Sequence, residues 1–317
     1  VSSDSIRRKI ETLGTQISLP TVRKALGVLE GEHASGRRGG AGDVMDVRVY
    51  EPGDESRLID WKTSARQGQP MVVQRERLST SRVWLLMDVG REMTGVCPSG
   101  EQACEVAANA LRMFAALSLR RSDDVSIVFG DEAAITRIPF NGGFAQFERT
   151  LDKALTREWN HKRNIDALLE YARRIKDRHA LIVLATDELA MTEHHIQEFR
   201  RIARTHPIVL IDVATLNPFK PLAKGQSAPL DGVTNRRVPA FLRSSASAQQ
   251  VETHRHYLAA ALEQELNRAG SFMIRAGSSE DMFNRFVQLV SVALARTTRN
   301  QLGASPELNL GLAGDRR

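Results

Sequence analysis

From Val83 onward the chain alternates short apolar runs with longer amphipathic ones, and this rhythm restricts its fold more than any other feature. The runs are VWLLMDV (Val83 to Val89), VSIVFG (Val125 to Gly130), AITRIPF (Ala134 to Phe140), LIVLATD (Leu181 to Asp187), PIVLIDV (Pro207 to Val213) and SFMIRA (Ser271 to Ala276). The stretches between them carry helical periodicity, at about 101–120, 144–155, 165–177, 193–205, 251–269 and 279–297. A strand that is apolar on consecutive residues has to be covered on both faces, which predicts a doubly wound, mostly parallel α/β sheet. The third run follows the second after only Asp131 to Ala133, too short for a crossover helix, so that pair is expected to be an antiparallel hairpin at the sheet edge.

The N-terminal quarter lacks this rhythm. Ile6, Ile10, Leu13 and Ile17 recur at helical spacing, Pro20 interrupts, and a second short helical stretch ends near Leu29. A Gly-rich loop (Gly31 to Asp43) follows, then two short extended pieces around Val47 to Tyr50 and Met71 to Arg77. The expected organisation is a helical lead-in (1–30), a small N-terminal block (31–82), the sheet domain (83–298) with a long loop at 216–248, and a disordered tail (299–317).

Several function classes are disfavoured at once. There is no GxxxxGK[ST], GxSxG or HExxH pattern, and Cys97 and Cys104 lack the paired spacing of a zinc site, reading instead as free thiols. The pairs of histidines in EHH (193–195) and HRH (254–256) read as solvated helix faces. Lys and Arg exceed Asp and Glu by 44 to 38, a mild surplus that gives nucleic acid or a membrane surface little support as partner. No run reaches about 18 apolar residues, so no membrane span is expected. The N-terminus lacks the order of a signal peptide, which points to the cytoplasm.

Ligands of open α/β sheets sit at the carboxyl ends of the strands. There the first run ends in DVGRE (Asp88 to Glu92) and the fourth in TDE (Thr186 to Glu188), bringing Asp88 and Asp187 onto one edge. Two carboxylates side by side need a cation, a shared proton or a basic side chain between them.

A strand ending in Asp, a loop and long helix, and a second Asp at the end of the fourth strand resemble the von Willebrand factor A-type domain, a Rossmann-like fold. That family builds a metal-ion-dependent adhesion site for magnesium or manganese from a DxSxS loop, a Thr or Asp of a middle loop, and a later Asp. The resemblance narrows with RRGGAGDVMDVRVYEPGDESRLIDWKTSARQGQPMVVQRE (Arg37 to Glu76), which is similar to the bacterial family called domain of unknown function 58. Its pattern is carried by Gly53, Asp54, Arg57, Ile59, Asp60, Trp61, Lys62, Ser64, Ala65, Arg66, Gly68 and Pro70, and the resemblance extends over about 27–290.

The metal motif transfers only in part. Asp88 and Asp187 hold the acidic positions, but the two Ser positions are Gly90 and Glu92, and the middle-loop pair aligns with Arg163 and Asn164. The resemblance therefore implies a degenerate site without a metal, in which Arg163 or Arg91 replaces the cation. Asp88, Glu92 and Asp187 are the oxygen donors that magnesium or manganese would have. Trp61 reads as an apolar anchor fixing the N-terminal block to the sheet domain, and Arg57, Asp60 and Arg66 as an ion-pair lattice.

The implied function is a non-enzymatic interaction protein, an adaptor or substrate-loading partner for a MoxR-type AAA+ ATPase, with no small-molecule substrate and other von Willebrand A-type proteins as further partners. Two alternatives belong to other classes. One is an anion-binding module for nucleic acid or a membrane surface, using Arg37, Arg38, Lys62, Arg66, Arg75 and Arg77. The other is a metal-dependent hydrolase centred on Asp88, Glu92 and Asp187.

Overall fold

The computed structural model describes residues 3–16, 44–50, 59–75, 82–119, 124–140, 142–178, 180–221, 229–231 and 236–303. The chain divides into two compact units, one of residues 1–29 with 81–317 and one of residues 30–80.

The larger unit holds a six-stranded sheet. Its strands are β3 (Arg82–Asp88), β4 (Asp124–Gly130), β5 (Ile135–Ile138), β6 (Leu181–Asp187), β7 (Ile208–Val213) and β8 (Phe272–Ala276), in the spatial order β5-β4-β3-β6-β7-β8. All neighbours are parallel except β4 and β5, which pair antiparallel at the edge as the short connection requires. The apolar runs split by their period of two onto the two faces. Val83, Leu85 and Met87 of β3, with Val183 of β6 and Val209 and Ile211 of β7, enter one core cluster, while Leu86, Ile182, Leu184, Ile208 and Leu210 enter the other.

Helices cover both faces. The first cluster is closed by α1 (Ser3–Gln16), α3 (Ala103–Leu119), α4 (Phe144–Leu155) and α8 (Ser279–Gly303), through Ile6 and Ile10, Phe114, Phe147 and Phe286 among others. The second is closed by α5 (Ile165–Arg173), α6 (Glu193–Ala203) and α7 (Ser245–Arg268), through Leu168, Phe199 and Leu262. The N-terminal helix is thus built into the sheet unit. Arg7 donates two hydrogen bonds to Asp152 of α4, and Lys9 pairs with Glu280 of α8 at 2.5 Å. The second short helical stretch expected near Leu29 lies outside the described residues, as do Gly31 to Asp43.

Two boundaries differ from the sequence reading. Helix α7 begins at Ser245, six residues earlier than its apolar periodicity suggests, because the Ser244 side chain accepts a hydrogen bond from the Ser247 N–H and caps a polar first turn. Helix α8 continues to Gly303, so the first residues assigned to the tail are helical; residues 304–317 lie outside the described ones.

The smaller unit pairs β1 (Val44–Val49) antiparallel with β2 (Met71–Arg75), and between them lies the seven-residue helix α2 (Trp61–Gln67). Local chemistry explains the spacing of the family block. The Asp60 carboxylate accepts from the N–H groups of Lys62 and Thr63 and from the Thr63 hydroxyl, capping the helix. The Ser64 hydroxyl donates to Asp60 O at 2.6 Å and accepts from Met71 N–H at 2.8 Å, tying the helix to β2. Gly68 ends the helix at φ +69°, a left-handed conformation that a side chain strains.

Asp60 is therefore a helix cap, and the Thr63 hydroxyl, first among its donors, holds its pKa below the ordinary value; Arg57 of the expected ion-pair lattice lies outside the described residues. Trp61 is 71% exposed and is not part of the packed interior of the smaller unit, which corrects the reading of it as a core residue there. Lys62, Ala65 and Arg66 are exposed too, while Gly53, Asp54 and Arg57 lie outside the described residues.

Candidate functional site

Parallel neighbours β3 and β6 end side by side at the carboxyl edge of the sheet and bring Asp88 and Asp187 together, both fully buried. Asp88 accepts from the Gly90 N–H at 2.8 Å and from the Thr186 hydroxyl at 2.8 Å. Asp187 accepts from the Leu189 N–H at 2.9 Å and from both terminal nitrogens of Arg163, at 2.7 and 2.6 Å. This two-pronged pairing is the strongest geometry a guanidinium and a carboxylate can adopt. The Arg163 Nε lies 3.6 Å from Asp88 Oδ2 and 3.9 Å from Glu92 Oε2, and it is buried without a hydrogen-bond partner.

The loop that delivers Arg163 is latched residue by residue. His161 O accepts from the Arg91 N–H, Lys162 O accepts from the Glu132 N–H, and Glu92 accepts from the Arg163 N–H at 3.0 Å. Asn164 caps α5 through the Ala167 N–H, so its side chain serves the helix and leaves the carboxylates to Arg163. The latch requires a glycine at position 90. A Cβ there would stand 2.5 Å from both Cα and N of Arg163, closer than real Cβ atoms approach backbone.

Electrostatics follow from this packing. Burial pushes the Asp88 carboxyl up to about 6, with Arg163 opposing the shift and Asp187 adding to it. Burial also works against the Arg163 charge, but Asp187, Asp88 and Glu92 more than offset it and hold its pKa above the ordinary guanidinium value. Among the described residues, no group of three or more His, Cys, Asp or Glu side chains is placed to hold a metal ion.

A second buried network adjoins the first, and sequence reasoning assigned it no role. Glu188 accepts from Thr215 N–H at 2.8 Å, from Arg255 of α7 at 2.7 Å, and from Arg275 of β8. Arg275 also lies 3.5 Å from Asp212 of β7, whose carboxyl is pushed up to about 7, chiefly by burial. Asp212 Oδ1 and the Nε and Nη2 of Arg255 are buried without partners. The available signal was a charged residue inside an apolar strand, Asp212 in IVLIDV and Arg275 in FMIRA. Arg255, within the supposedly solvated HRH, is 5% exposed.

His195 also departs from the expected solvated face. It is 7% exposed, its Nδ1 accepts from the Thr192 N–H to complete the cap of α6, and its Nε2 lies 3.2 Å from Asp166 of α5. Burial lowers its pKa, with Asp166 opposing. Cys97 and Cys104 are buried free thiols, and burial raises them to about 12 and about 11, which makes them poor nucleophiles. No described helix is long and apolar enough to cross a membrane.

Known proteins similar to this chain include the uncharacterized proteins Mb1516 of Mycobacterium bovis and Rv1480 of Mycobacterium tuberculosis, each 26% identical over 204 residues. The alignments cover 62% of this chain and 62% of each relative, so the chain spans somewhat less than two thirds of their length. Among solved structures it is similar to the SpRpn10 VWA domain, with a TM-score of 0.39 at 10% identity over 66% of this chain and 95% of that one. It is also similar to the PilB minor pilin of Streptococcus sanguinis, with a TM-score of 0.38 at 9% identity over 75% of this chain and 67% of that one. Residues 46–218, from strand β1 through both carboxylates of the edge and past β7, match a single family, and the chain belongs to that family, described as Protein of unknown function DUF58.

Proposed function

We propose that this protein is a non-enzymatic interaction module whose carboxyl edge is a metal-ion-dependent adhesion site converted to a built-in cation, and that it serves as adaptor or substrate-loading partner of a MoxR-type AAA+ ATPase. The observation that supports the conversion is the Arg163 guanidinium, bonded twice to Asp187 and 3.6 Å from Asp88. Magnesium wants near-octahedral oxygen ligation. The residues present do not fit it: position 90 has no room for a hydroxyl-bearing side chain, position 163 is itself cationic, and Glu92 is engaged with the Arg163 N–H.

A fixed guanidinium gives a site that needs no metal and is organised before a partner arrives. The nucleotide chemistry then belongs to the ATPase, and this chain supplies recognition. The partner rests on family resemblance, which is an analogy of fold and context.

Two measurements test the reading. Titration calorimetry of the full chain with magnesium or manganese should give no event; a micromolar event abolished by Asp88→Ala would sink the converted-site reading. Purified MoxR-type ATPase should bind the chain equally with and without EDTA, and no binding in either condition would remove the adaptor role.

A further inference from the structure

Residues 214–244 join β7 to α7, and connections of this length are uncommon unless they carry a function. The described parts of the loop are built rather than slack. Asn217 ties its start to α7 by donating to Ala248 O at 2.8 Å. Leu230 and Arg237 face each other in an antiparallel bridge, Val238 N–H donates to Pro229 O at 2.9 Å and Asp231 N–H to Arg236 O at 2.8 Å, and the Val238 side chain is buried beneath. Pro239 then opens a single turn of 3₁₀ helix (Ala240–Leu242), held by the Leu242 N–H on Pro239 O and the Arg243 N–H on Ala240 O, and Ser244 caps α7 directly after it.

This frame presents side chains that a solvent-facing turn has no use for. Pro239, Ala240, Phe241 and Leu242 are consecutive, uncharged and all exposed. Phe241 is 82% exposed, more than any other large apolar side chain among the described residues, and Leu230, opposite Arg237 in the bridge, is 58% exposed. A single exposed apolar residue is ordinary, but an exposed run of four in a fixed conformation is not. An aromatic ring held out in this way is the usual anchor of a protein contact.

The flanks of the turn are basic. The loop contains Lys220, Lys224, Arg236, Arg237 and Arg243 against one acidic residue, Asp231. Arg236 and Arg237 are exposed, and among the described residues neither they nor Arg243 has an ion-pair partner. The acidic residues nearest in the chain are turned elsewhere. Asp231 is half-buried, and Glu252 lies 3.4 Å from the Asn217 amide and 3.6 Å from His256.

We propose that the turn at 239–242 inserts Phe241 into an apolar pocket of the partner protein, and that the rim of this pocket carries Asp or Glu side chains that pair with Arg236 and Arg237. The inference rests on the adaptor reading above and specifies its contact. Charge complementarity selects the acidic rim, since a neutral or basic one would desolvate two unpaired guanidinium groups with nothing to offset the cost. A protein fits better than a lipid surface: Phe241 and Leu242 together offer less apolar area than one acyl chain, which is itself a marginal membrane anchor.

The test is binding of the purified full chain to the purified MoxR-type ATPase at about 50 and about 500 mM salt, where exposed charge pairs are screened over very different distances. Phe241→Ala should weaken binding by about tenfold or more, the scale of an anchor residue. Wild-type affinity should fall by about threefold or more at the higher salt, and Arg236→Glu/Arg237→Glu should bind weakly at both. Arg149→Glu, an exposed charge reversal on α4, should bind like wild type, and thermal unfolding should be unchanged in every variant because each substituted side chain is exposed. Binding by Phe241→Ala or by the double variant that matches wild type overturns the insertion and leaves the adaptor reading standing. Phosphatidylglycerol vesicles that bind the wild type and not Phe241→Ala, with ATPase binding unaffected by that change, assign the turn to a membrane surface and overturn it too. No ATPase binding by the wild-type chain at either salt overturns both readings.

Discussion

Replacing Arg163 by Met removes a charge while keeping most of the side chain's length, and its consequence follows from the bonds Asp187 would lose. Asp187 is fully buried and has three donors, of which Arg163 supplies two; Leu189 N–H would remain. Asp88 would keep Gly90 N–H and the Thr186 hydroxyl but lose the Arg163 charge that opposes its burial. Breaking a buried ion pair from one side costs about 3–5 kcal/mol, because the other charge is left uncompensated. For a domain of this size that lowers Tm by on the order of 10 °C.

The expected signature has three parts, read by urea and thermal unfolding followed by circular dichroism. At pH 7.5 Arg163→Met is destabilised by about 3–5 kcal/mol. The deficit shrinks as pH falls toward and below about 6, because the Asp88 carboxyl, raised by burial, then takes up a proton in the folded state. The double variant Arg163→Met/Asp187→Asn recovers part of the loss, since a neutral amide replaces the Asp187 charge while Asp88 keeps its donors from Gly90 and Thr186. A single variant within about 1 kcal/mol of wild type at pH 7.5, or a double variant no better than the single, would refute the claim that Arg163 stands in for a buried cation.

Other perturbations probe neighbouring features. Gly90→Ala should destabilise by about 1–3 kcal/mol or more, because Arg163 backbone occupies the new atom's space; equal thermal stability would contradict the interlock. Asp212, with its folded pKa raised from 3.8 to about 7, favours the native state at low pH, and that contribution is lost as pH rises through about 7. Asp212→Asn should therefore gain stability over wild type between pH 5 and 8, measured as the pH dependence of urea midpoints, and a constant difference across that range would count against it. Asp60→Ala removes the α2 cap and should cost the smaller unit about 1 kcal/mol, with hydrogen exchange faster at the α2 amides.

What the sequence determined by itself was the architecture of the sheet. Strands apolar at consecutive positions, such as LIVLATD, can only be buried on both faces, and the three-residue connection after Gly130 can only return antiparallel, so layers and edge were legible before any coordinates. Asp88 and Asp187 were legible for the same reason, since strand ends at one edge place them together.

Tertiary structure decided what lies between and around them. Spacing alone left Arg163 and Arg91 as alternative cations; the choice of Arg163 depends on a loop whose path is set by bonds to Arg91, Glu132 and Glu92, far apart in sequence. The partnership of Glu188 with Arg255 and Arg275 was invisible because it joins three elements across 87 residues, and Arg255 sits in a polar run that reads as solvent-facing. Trp61 erred in the opposite direction: its size argued for a core, yet the face of its helix that packs carries Ser64, and Trp61 stays 71% exposed. Local periodicity follows from the backbone's own geometry, whereas the neighbour of a charged side chain is fixed only when distant segments are packed, and the chemistry of this edge belongs to the second kind.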